Sequence, residues 1–317
     1  MTDTDTLQIS LAQIAPVWLD RAATVARVAE SVVEAGRTGS RLVVFGEALV
    51  PGYPFWVERT DGARFDSAVQ RDLYAHYQDQ AVDLDAGHLE PVVTAAARHG
   101  IAVAVGIIER PRDRGGHSLY CSLVYVDAGG EIRSVHRKLV PTYEERLVWS
   151  PGDGHGLQTH ALGRFRVGGL NCWENWLPLV RAALYAQGED LHLSVWPGGE
   201  HLTRDITRFI AAESRSYVAA AGGVMHADMI GDHVPHRELI LADDRGWYAR
   251  GGSCLVAPDG SWVIEPVDAR EELVTALIDH REVRRARQHL DPVGHYSRPD
   301  VTRLVLDRRR QSTLEEA

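Results

Sequence analysis

Strand-like apolar runs alternate with helical periodicity along the chain. Residues 7–14 and 42–45 have the length and composition of buried strands. The segment between them repeats apolar residues at helical spacing, at Leu19, Ala22, Val25, Val28 and Val32. The pattern therefore predicts a strand, a helix and a second strand in succession.

The same alternation continues downstream. Strand-like runs occupy 101–108, 167–170 and 191–196, and helices are predicted at 90–98 and 177–187. Strands that alternate with helices favour an α/β fold. Because no segment rich in Pro, Gly and Ser separates them, we expect one domain.

Two predicted hairpins lie about 130 residues apart, at 123–135 (LVYVDAGGEIRSV) and 254–266 (CLVAPDGSWVIEP). Each places a short Asp/Gly turn between two alternating apolar runs. Their similar positions indicate an internal duplication, which two sheets packed face to face with helices outside would accommodate. Local periodicity alone does not separate this arrangement from an ordinary three-layer doubly wound sheet.

Composition and charge exclude several classes of function. The 317 residues are 44% hydrophobic and 25% charged, as in a globular protein, and the formal net charge is −10. Nucleic acids and anionic membranes reward clustered Lys and Arg, so we expect neither as a partner. The polar, acidic start MTDTDTLQIS is unlike a secretory signal, and the sequence predicts a soluble, cytoplasmic protein.

One of the three cysteines lies where a strand would meet a helix. Cys172 stands in GGLNCWENWLPL (168–179), and its thiol would lie close to the first N–H groups of a helix, which can lower the pKa of a cysteine. Cys121 and Cys254 lie inside apolar runs and are interpreted as packing residues. A single cysteine is more often inert than catalytic, so Cys172 needs support from other residues.

That support comes from two other predicted strand ends. Glu47 ends the apolar strand of RLVVFGEALVPGYPFW (41–56), and Lys138 ends another in HRKLVPTYEERLVWSPGDG (136–154). In this order, Glu47, Lys138 and then Cys172, the chain resembles the nitrilase family of carbon–nitrogen hydrolases. The CWEN form of the cysteine motif is similar to that of true nitrilases.

The resemblance covers nearly the whole chain and implies a four-layer αββα sandwich. It implies a single carbon–nitrogen hydrolase domain over 1–317, and we expect its polar tail, about 306–317, to be frayed. It also implies a homo-oligomer, with a dimer built through helices near 181–187. No metal and no organic cofactor is implied.

The resemblance further implies an enzyme that converts a small organic nitrile and two waters to a carboxylic acid and ammonia. Cys172 would attack the nitrile carbon to give a thioimidate and then a thioester, Glu47 would act as general base, and Lys138 would stabilise charge on the nitrogen. Glu145 matches an additional glutamate of the family and would orient groups or relay protons. We interpret its neighbour Glu144 as a surface residue and Glu174 as a helix cap.

Aromatic residues near these motifs are candidates for the substrate pocket. By resemblance, loops carrying four of them lie near the site, and aromatic walls suit an apolar nitrile substituent. The candidates are Tyr53, Trp56, Trp173 and Trp196. Ordinary core packing remains the alternative for each.

Three other functions stay open. An amidase or carbamoyl hydrolase of the same superfamily would use the same three groups, although CWEN disfavours it, and cyanide itself could be the substrate. A metal-dependent protein could instead use the segment HADMIGDHVPH, since imidazole and carboxylate bind zinc or iron. Its candidate ligands are His226, Asp228, Asp232, His233 and His236. Their spacing matches no compact helical motif, so a polar loop is the preferred interpretation.

Overall fold

Two β-sheets with helices outside them form the computed structural model, which describes residues 5–242 and 246–314. The strands are β1 (Thr6–Gln13), β2 (Leu42–Phe45), β3 (Ala102–Glu109), β4 (Tyr120–Val126), β5 (Ile132–Arg137), β6 (His160–Leu162), β7 (Phe165–Asn171), β8 (Leu191–Trp196), β9 (Tyr217–Gly222), β10 (Val224–His226), β11 (Trp247–Val256), β12 (Trp262–Asp268) and β13 (Glu272–Asp279). The α-helices are α1 (Arg21–Arg37), α2 (Trp56–Arg59), α3 (Ala68–Gln80), α4 (Glu90–His99), α5 (Pro178–Tyr185), α6 (Glu200–Ser214), α7 (Arg237–Ile240) and α8 (His280–Arg287).

The two sheets share one plan. The first has the order β13-β1-β2-β3-β4-β5, and the second has the order β10-β11-β9-β8-β7-β6 with β12 paired to β11. In each, three neighbouring strands are parallel, β1-β2-β3 and β7-β8-β9, and an antiparallel hairpin follows on one side, β4-β5 or β11-β12. This repetition agrees with the duplication that the two hairpin motifs indicated.

The sheets pack face to face through an apolar layer. Ile9 and Val44 of the first sheet belong to the same buried cluster as Leu193 and Ala219 of the second. Helices α1 and α4 cover the outer face of the first sheet, and α6 covers the outer face of the second. Burying both faces of each sheet in this way explains the nearly continuous apolar runs of the central strands. The predicted four-layer αββα sandwich is confirmed.

The start of the first helix differs from the prediction. Asp20 caps α1, its side chain accepting the Ala23 N–H at 2.9 Å. Leu19 therefore precedes the helix, in a left-handed conformation with φ of 60°. Ala22 faces solvent, and Val25, Val28 and Val32 form the buried stripe. A polar cap marks the helix start better than the first apolar residue of the period.

The C-terminal tail is tied down for part of its length. Leu306 packs against the cluster of Leu170 and Leu184, and Arg310 donates to Asp153 at 3.0 Å. Some residues of this tail thus contact β7, α5 and the loop after β5, and the frayed tail at about 306–317 stays a prediction. Residues 315–317 lie outside the described residues, and the single domain over 1–317 stays a prediction.

Across the part of the chain that the structure describes, none of the helices combines the length and apolarity needed to cross a bilayer.

The two sheets approach each other closely at Gly46, directly after β2. The Glu47 N–H donates to the Trp196 carbonyl at the end of β8, at 3.0 Å. A Cβ added to Gly46 would lie 2.8 Å from the Gly223 nitrogen and 3.0 Å from the Trp196 oxygen. Because both contacts are backbone, this position requires glycine, and the close approach positions Glu47 against the second sheet.

We predict that Gly46→Ala destabilises the fold. The added methyl group has to displace backbone of the second sheet, so the free energy of unfolding should fall by about 1–3 kcal/mol in a denaturant titration. Gly129→Ala is the control, since Gly129 is exposed and the nearest atom to its added Cβ is the Asp127 side chain at 3.2 Å. Equal stability of the two variants would contradict the prediction.

Candidate active site

Residues from three distant segments meet at the strand ends. Glu47 lies two residues after β2, Lys138 directly follows β5, and Cys172 directly follows β7. The thiol sulphur and a carboxylate oxygen from each of Glu47 and Glu145 lie within 4.8 Å of one another. Lys138 Nζ lies 2.9 Å from Glu47 Oε1 and 2.6 Å from Glu145 Oε2. The four predicted catalytic residues therefore form one buried cluster.

Lys138 is a buried ammonium held between two carboxylates. Its exposed fraction is 1%. Burial lowers the pKa of this group, but Glu47 and the other acidic neighbours outweigh burial and hold the pKa well above its ordinary value. Lys138 is also the only lysine in the sequence, whose other long cationic side chains are all arginine. The compact ammonium of a lysine fits between two carboxylates, whereas the planar guanidinium of an arginine is larger.

Glu47 has one free oxygen. Its Oε1 accepts from Lys138 and from the Cys121 thiol, 3.5 Å away, whereas its buried Oε2 has no hydrogen-bond partner among the described residues. Burial raises the pKa of Glu47 to about 7, with Glu145 adding to the rise and Lys138 opposing it. A carboxylate with a free oxygen and a pKa near neutrality can take up and return a proton.

Glu145 is engaged on both oxygens. Its Oε2 accepts from Lys138 and from the Thr142 N–H at 2.6 Å, and its Oε1 accepts from the Tyr53 hydroxyl at 2.9 Å. These donors suit a fixed anion better than a proton acceptor. Glu144 is not the free surface residue that we expected, since it is half-buried and its Oε1 lies 3.2 Å from the same Tyr53 hydroxyl.

Cys172 lies in a strained turn. Its φ is 47°, in the left-handed region that non-glycine residues rarely occupy. The Asn175 side chain donates to the Cys172 carbonyl at 2.8 Å, and the Asn175 Oδ1 lies 2.8 Å from His192 Nε2. These buried contacts hold the turn in shape.

The resting group at Cys172 is a thiol. Burial raises the pKa of Cys172 well above its ordinary value, and Glu47 raises it further, while Lys138 and the Trp173 N–H lower it. The Trp173 N–H at the start of the turn lowers the pKa of Cys172, as the sequence indicated, but the net shift is upward and the expected lowered pKa is wrong. Residues Cys172–Trp176 form only a short 3-10 turn, and burial of the thiol, with Glu47 adding to it, outweighs the Trp173 N–H.

The four predicted pocket residues differ in burial: Trp56 and Trp196 are buried, Tyr53 is half-buried and Trp173 is exposed. Tyr53 contacts Glu145, and Trp196 is buried in the same apolar cluster as Cys172. Trp56 is buried beside Tyr77, with ring centroids 6.2 Å apart, in the apolar cluster that Tyr53 borders. Trp173 is 47% exposed, and its ring lies 6.3 Å from that of Trp176.

Sequence reasoning missed two neighbours of the cluster. Cys121, which we interpreted as a packing residue, donates to Glu47, and its carbonyl accepts the Lys138 N–H at 2.8 Å. The Trp149 ring lies 5.5 Å from Lys138 Nζ. The β4-β5 hairpin supplied only an approximate signal for Cys121, because counting outward from its turn pairs this residue with Arg137, and a register shift between Tyr125 and Val126 moves the pairing by one residue toward Lys138.

The geometry does not favour the metal-binding alternative. Within 5–242 and 246–314, the one group of His, Cys, Asp and Glu side chains close enough to share an ion is Glu47, Glu145 and Cys172, and the Lys138 ammonium already supplies a cation to both of its carboxylates. The loop histidines have separate partners. These are Asp228 for His226, the Trp18 carbonyl for His233 and Asp72 for His236.

The chain is similar to known hydrolases over nearly its whole length. The family described as "Carbon-nitrogen hydrolase" matches residues 8–288. The sequence is 34% identical to an aliphatic nitrilase of Rhodococcus rhodochrous, over 99% of this chain and 86% of the relative. It is 35% identical to a protein named nitrilase 2 from an unknown prokaryotic organism, over 95% of this chain and 92% of the relative. A carbon–nitrogen hydrolase structure from Helicobacter pylori G27 superposes with a TM-score of 0.68 at 19% identity, covering 95% of this chain and all of that one.

We predict that Lys138→Met destabilises the fold in a pH-dependent way. Without the ammonium, two buried carboxylates face each other, and the free energy of unfolding should fall by about 3–5 kcal/mol near pH 8. The loss should be smaller near pH 5. A carboxyl group with a raised folded-state pKa is still protonated there, and its contribution to stability is lost only as the pH rises through that pKa. Urea titrations at both pH values test this.

Arg64→Met is the control for Lys138→Met, since Arg64 is exposed. It should change stability by less than about 0.5 kcal/mol at either pH. A Lys138→Met loss that is the same at both pH values would mean that the two carboxylates are not its cause.

Proposed function

The chain belongs to the carbon–nitrogen hydrolase family, and on that premise we propose that it is a nitrilase, converting an organic nitrile to a carboxylic acid and ammonia. The observation that carries the proposal is the likeness to nitrilases over nearly the full chain. The buried cluster adds the required chemistry, since a nitrile carbon is a weak electrophile that needs a strong nucleophile, a proton acceptor and a cation near its nitrogen.

The first covalent step joins the Cys172 sulphur to the nitrile carbon. Its thiol proton passes to the free oxygen of Glu47, and one carbon–nitrogen π bond breaks as negative charge develops on the nitrogen. Lys138 stabilises this charge, and protonation of the nitrogen gives a thioimidate. One water then adds and ammonia leaves, and a second water releases the acid from the thioester.

We assign Glu145 to positioning. Both of its oxygens accept hydrogen bonds, from Lys138 on one side and from Tyr53 on the other. It therefore fixes the ammonium, while Glu47 exchanges the proton. Tyr53, Trp56 and Trp196 are proposed to line the route of the apolar substituent, and Trp173 to border its outer end.

We further propose that the protein acts in the cytoplasm as a homo-oligomer, dimeric or higher. Large exposed apolar side chains on the nucleophile turn, α5 and α6 support assembly, because a partner subunit can cover such side chains. They are Trp173, Trp176, Leu179 and Phe209.

We predict that Cys172→Ala abolishes turnover, because no other described thiol directly follows the strand end that faces Glu47 and Lys138. Ammonia release should be measured on a panel of nitriles, matched amides, carbamoyl amino acids and cyanide, with the wild type releasing ammonia from nitriles. Retention of more than a few per cent of the wild-type rate would reject Cys172 as nucleophile. Faster release from amides or carbamoyl substrates would replace the nitrilase proposal.

The pH profile should identify the base. Only ionised Glu47 accepts the thiol proton, so kcat/KM should rise with pH through about 7, the pKa of Glu47. Glu47→Gln should lose about a hundredfold or more in kcat, whereas Glu30→Gln, at an exposed position of α1, should behave as wild type. A profile that is flat across neutrality would exclude Glu47 as the titrating group.

A further inference from the structure

We propose that Glu174 is a positioning residue that sets the spacing between the Lys138 ammonium and the Cys172 thiol, by joining the two strand ends that carry them. This inference rests on the proposed nitrile hydrolysis and deepens it. Helix capping, which the sequence predicted for Glu174, is only part of what this side chain does.

One carboxylate bonds to the backbone beside both reacting groups. Glu174 Oε1 accepts the Leu139 N–H at 2.6 Å, and Glu174 Oε2 accepts the Asn171 N–H at 3.0 Å. Leu139 directly follows Lys138, and Asn171 directly precedes Cys172. Because β5 belongs to the first sheet and β7 to the second, Glu174 ties the sheets together at the reacting groups.

A buried histidine is the third hydrogen-bond donor to the Glu174 carboxylate. His136 Nε2 lies 3.1 Å from Glu174 Oε2, and both side chains are buried. Burial alone would raise the pKa of Glu174, but His136 and the two N–H donors outweigh it and hold the pKa below its ordinary value. Glu174 is therefore ionised at neutral pH, and it accepts three hydrogen bonds in a dry environment, where such bonds are strong.

The turn that carries Cys172 needs a contact with another segment to hold its position. With φ at 47°, Cys172 occupies a conformation that its own chain does not favour. Asn175 holds the Cys172 carbonyl, yet Asn175 belongs to the same turn and contacts no residue of β5 in its hydrogen bonds. Glu174 supplies the link across the sheets, and a displacement of about 1 Å between reacting groups can cost on the order of a hundredfold in rate.

Glu174→Gln keeps the size and shape of the side chain but removes one of its two hydrogen bonds to the backbone. Its amide has one acceptor oxygen, so its NH2 group has to face the N–H of Leu139 or of Asn171, donor against donor. We expect Glu174→Gln to lower kcat on a nitrile by about a hundredfold while KM changes by less than about threefold. Alkylation of Cys172 by iodoacetamide, followed by peptide mass spectrometry, should slow by about tenfold or more.

Asp190→Asn is the matched control. Asp190 is also buried, lies 3.2 Å from a histidine, His280, and accepts a backbone N–H, that of Arg166. It precedes β8, at the end opposite to Trp196. This variant should lose thermal stability as Glu174→Gln does, yet keep the wild-type kcat and alkylation rate.

Glu174→Gln with the kcat and alkylation rate of Asp190→Asn would overturn the proposal and leave the nitrilase assignment intact. If the wild type hydrolyses no nitrile but Glu174→Gln still slows alkylation, the function fails and the positioning stands. If Glu174→Gln does not fold, variants of His136 test the proposal instead. His136→Leu should slow alkylation and His136→Gln, which keeps a donor, should restore it, whereas equal rates would overturn the proposal.

Discussion

The rest of the structure depends on one buried ammonium held by two buried carboxylates. Lys138 alone would be expensive to take out of water, and so would Glu47 and Glu145. Their contacts at 2.6 and 2.9 Å compensate only when β2, β5 and the turn after β5 are all in place. The cost of leaving any of these charges unpaired therefore couples the assembly of the first sheet to the assembly of the site.

The same constraint repeats along His136–Lys138. Three consecutive cationic or protonatable side chains are buried, although a basic run at a strand end usually faces solvent. Each has its own acid, Glu174 for His136, Glu109 for Arg137 and Glu47 with Glu145 for Lys138. A strand whose charges need partners from separate segments admits one register, since a slip would leave several charges unpaired at once.

The sequence predicted the elements better than the electrostatics. Strands 42–45 and 191–196 have the predicted bounds, because short buried runs end where their apolar residues end. The meeting of Glu47, Lys138 and Cys172 followed from family resemblance, since no local pattern brings such distant residues together. The pKa of Cys172 was predicted in the wrong direction because burial, which raises it most, and the Glu47 carboxylate, which raises it further, both depend on other parts of the chain. Lys138 carried an unused signal, because a sequence that elsewhere uses only arginine retained a single lysine there.

The electrostatics of the cluster favour moving a proton over keeping a thiolate. With the thiol protonated, the cluster contains one ammonium and two carboxylates. A free thiolate would add a further negative charge at a buried position, where burial already raises the pKa of both Cys172 and Glu47. Transfer of the thiol proton to Glu47 leaves the total charge unchanged. The transfer replaces the Glu47 carboxylate with the Cys172 thiolate as an anion beside the Lys138 ammonium. Little additional cost of burying charge therefore arises during the attack. A base with a pKa near neutrality and one free oxygen is therefore what a protonated, buried nucleophile needs, and Glu145, with both oxygens occupied, keeps the ammonium in position while that exchange takes place.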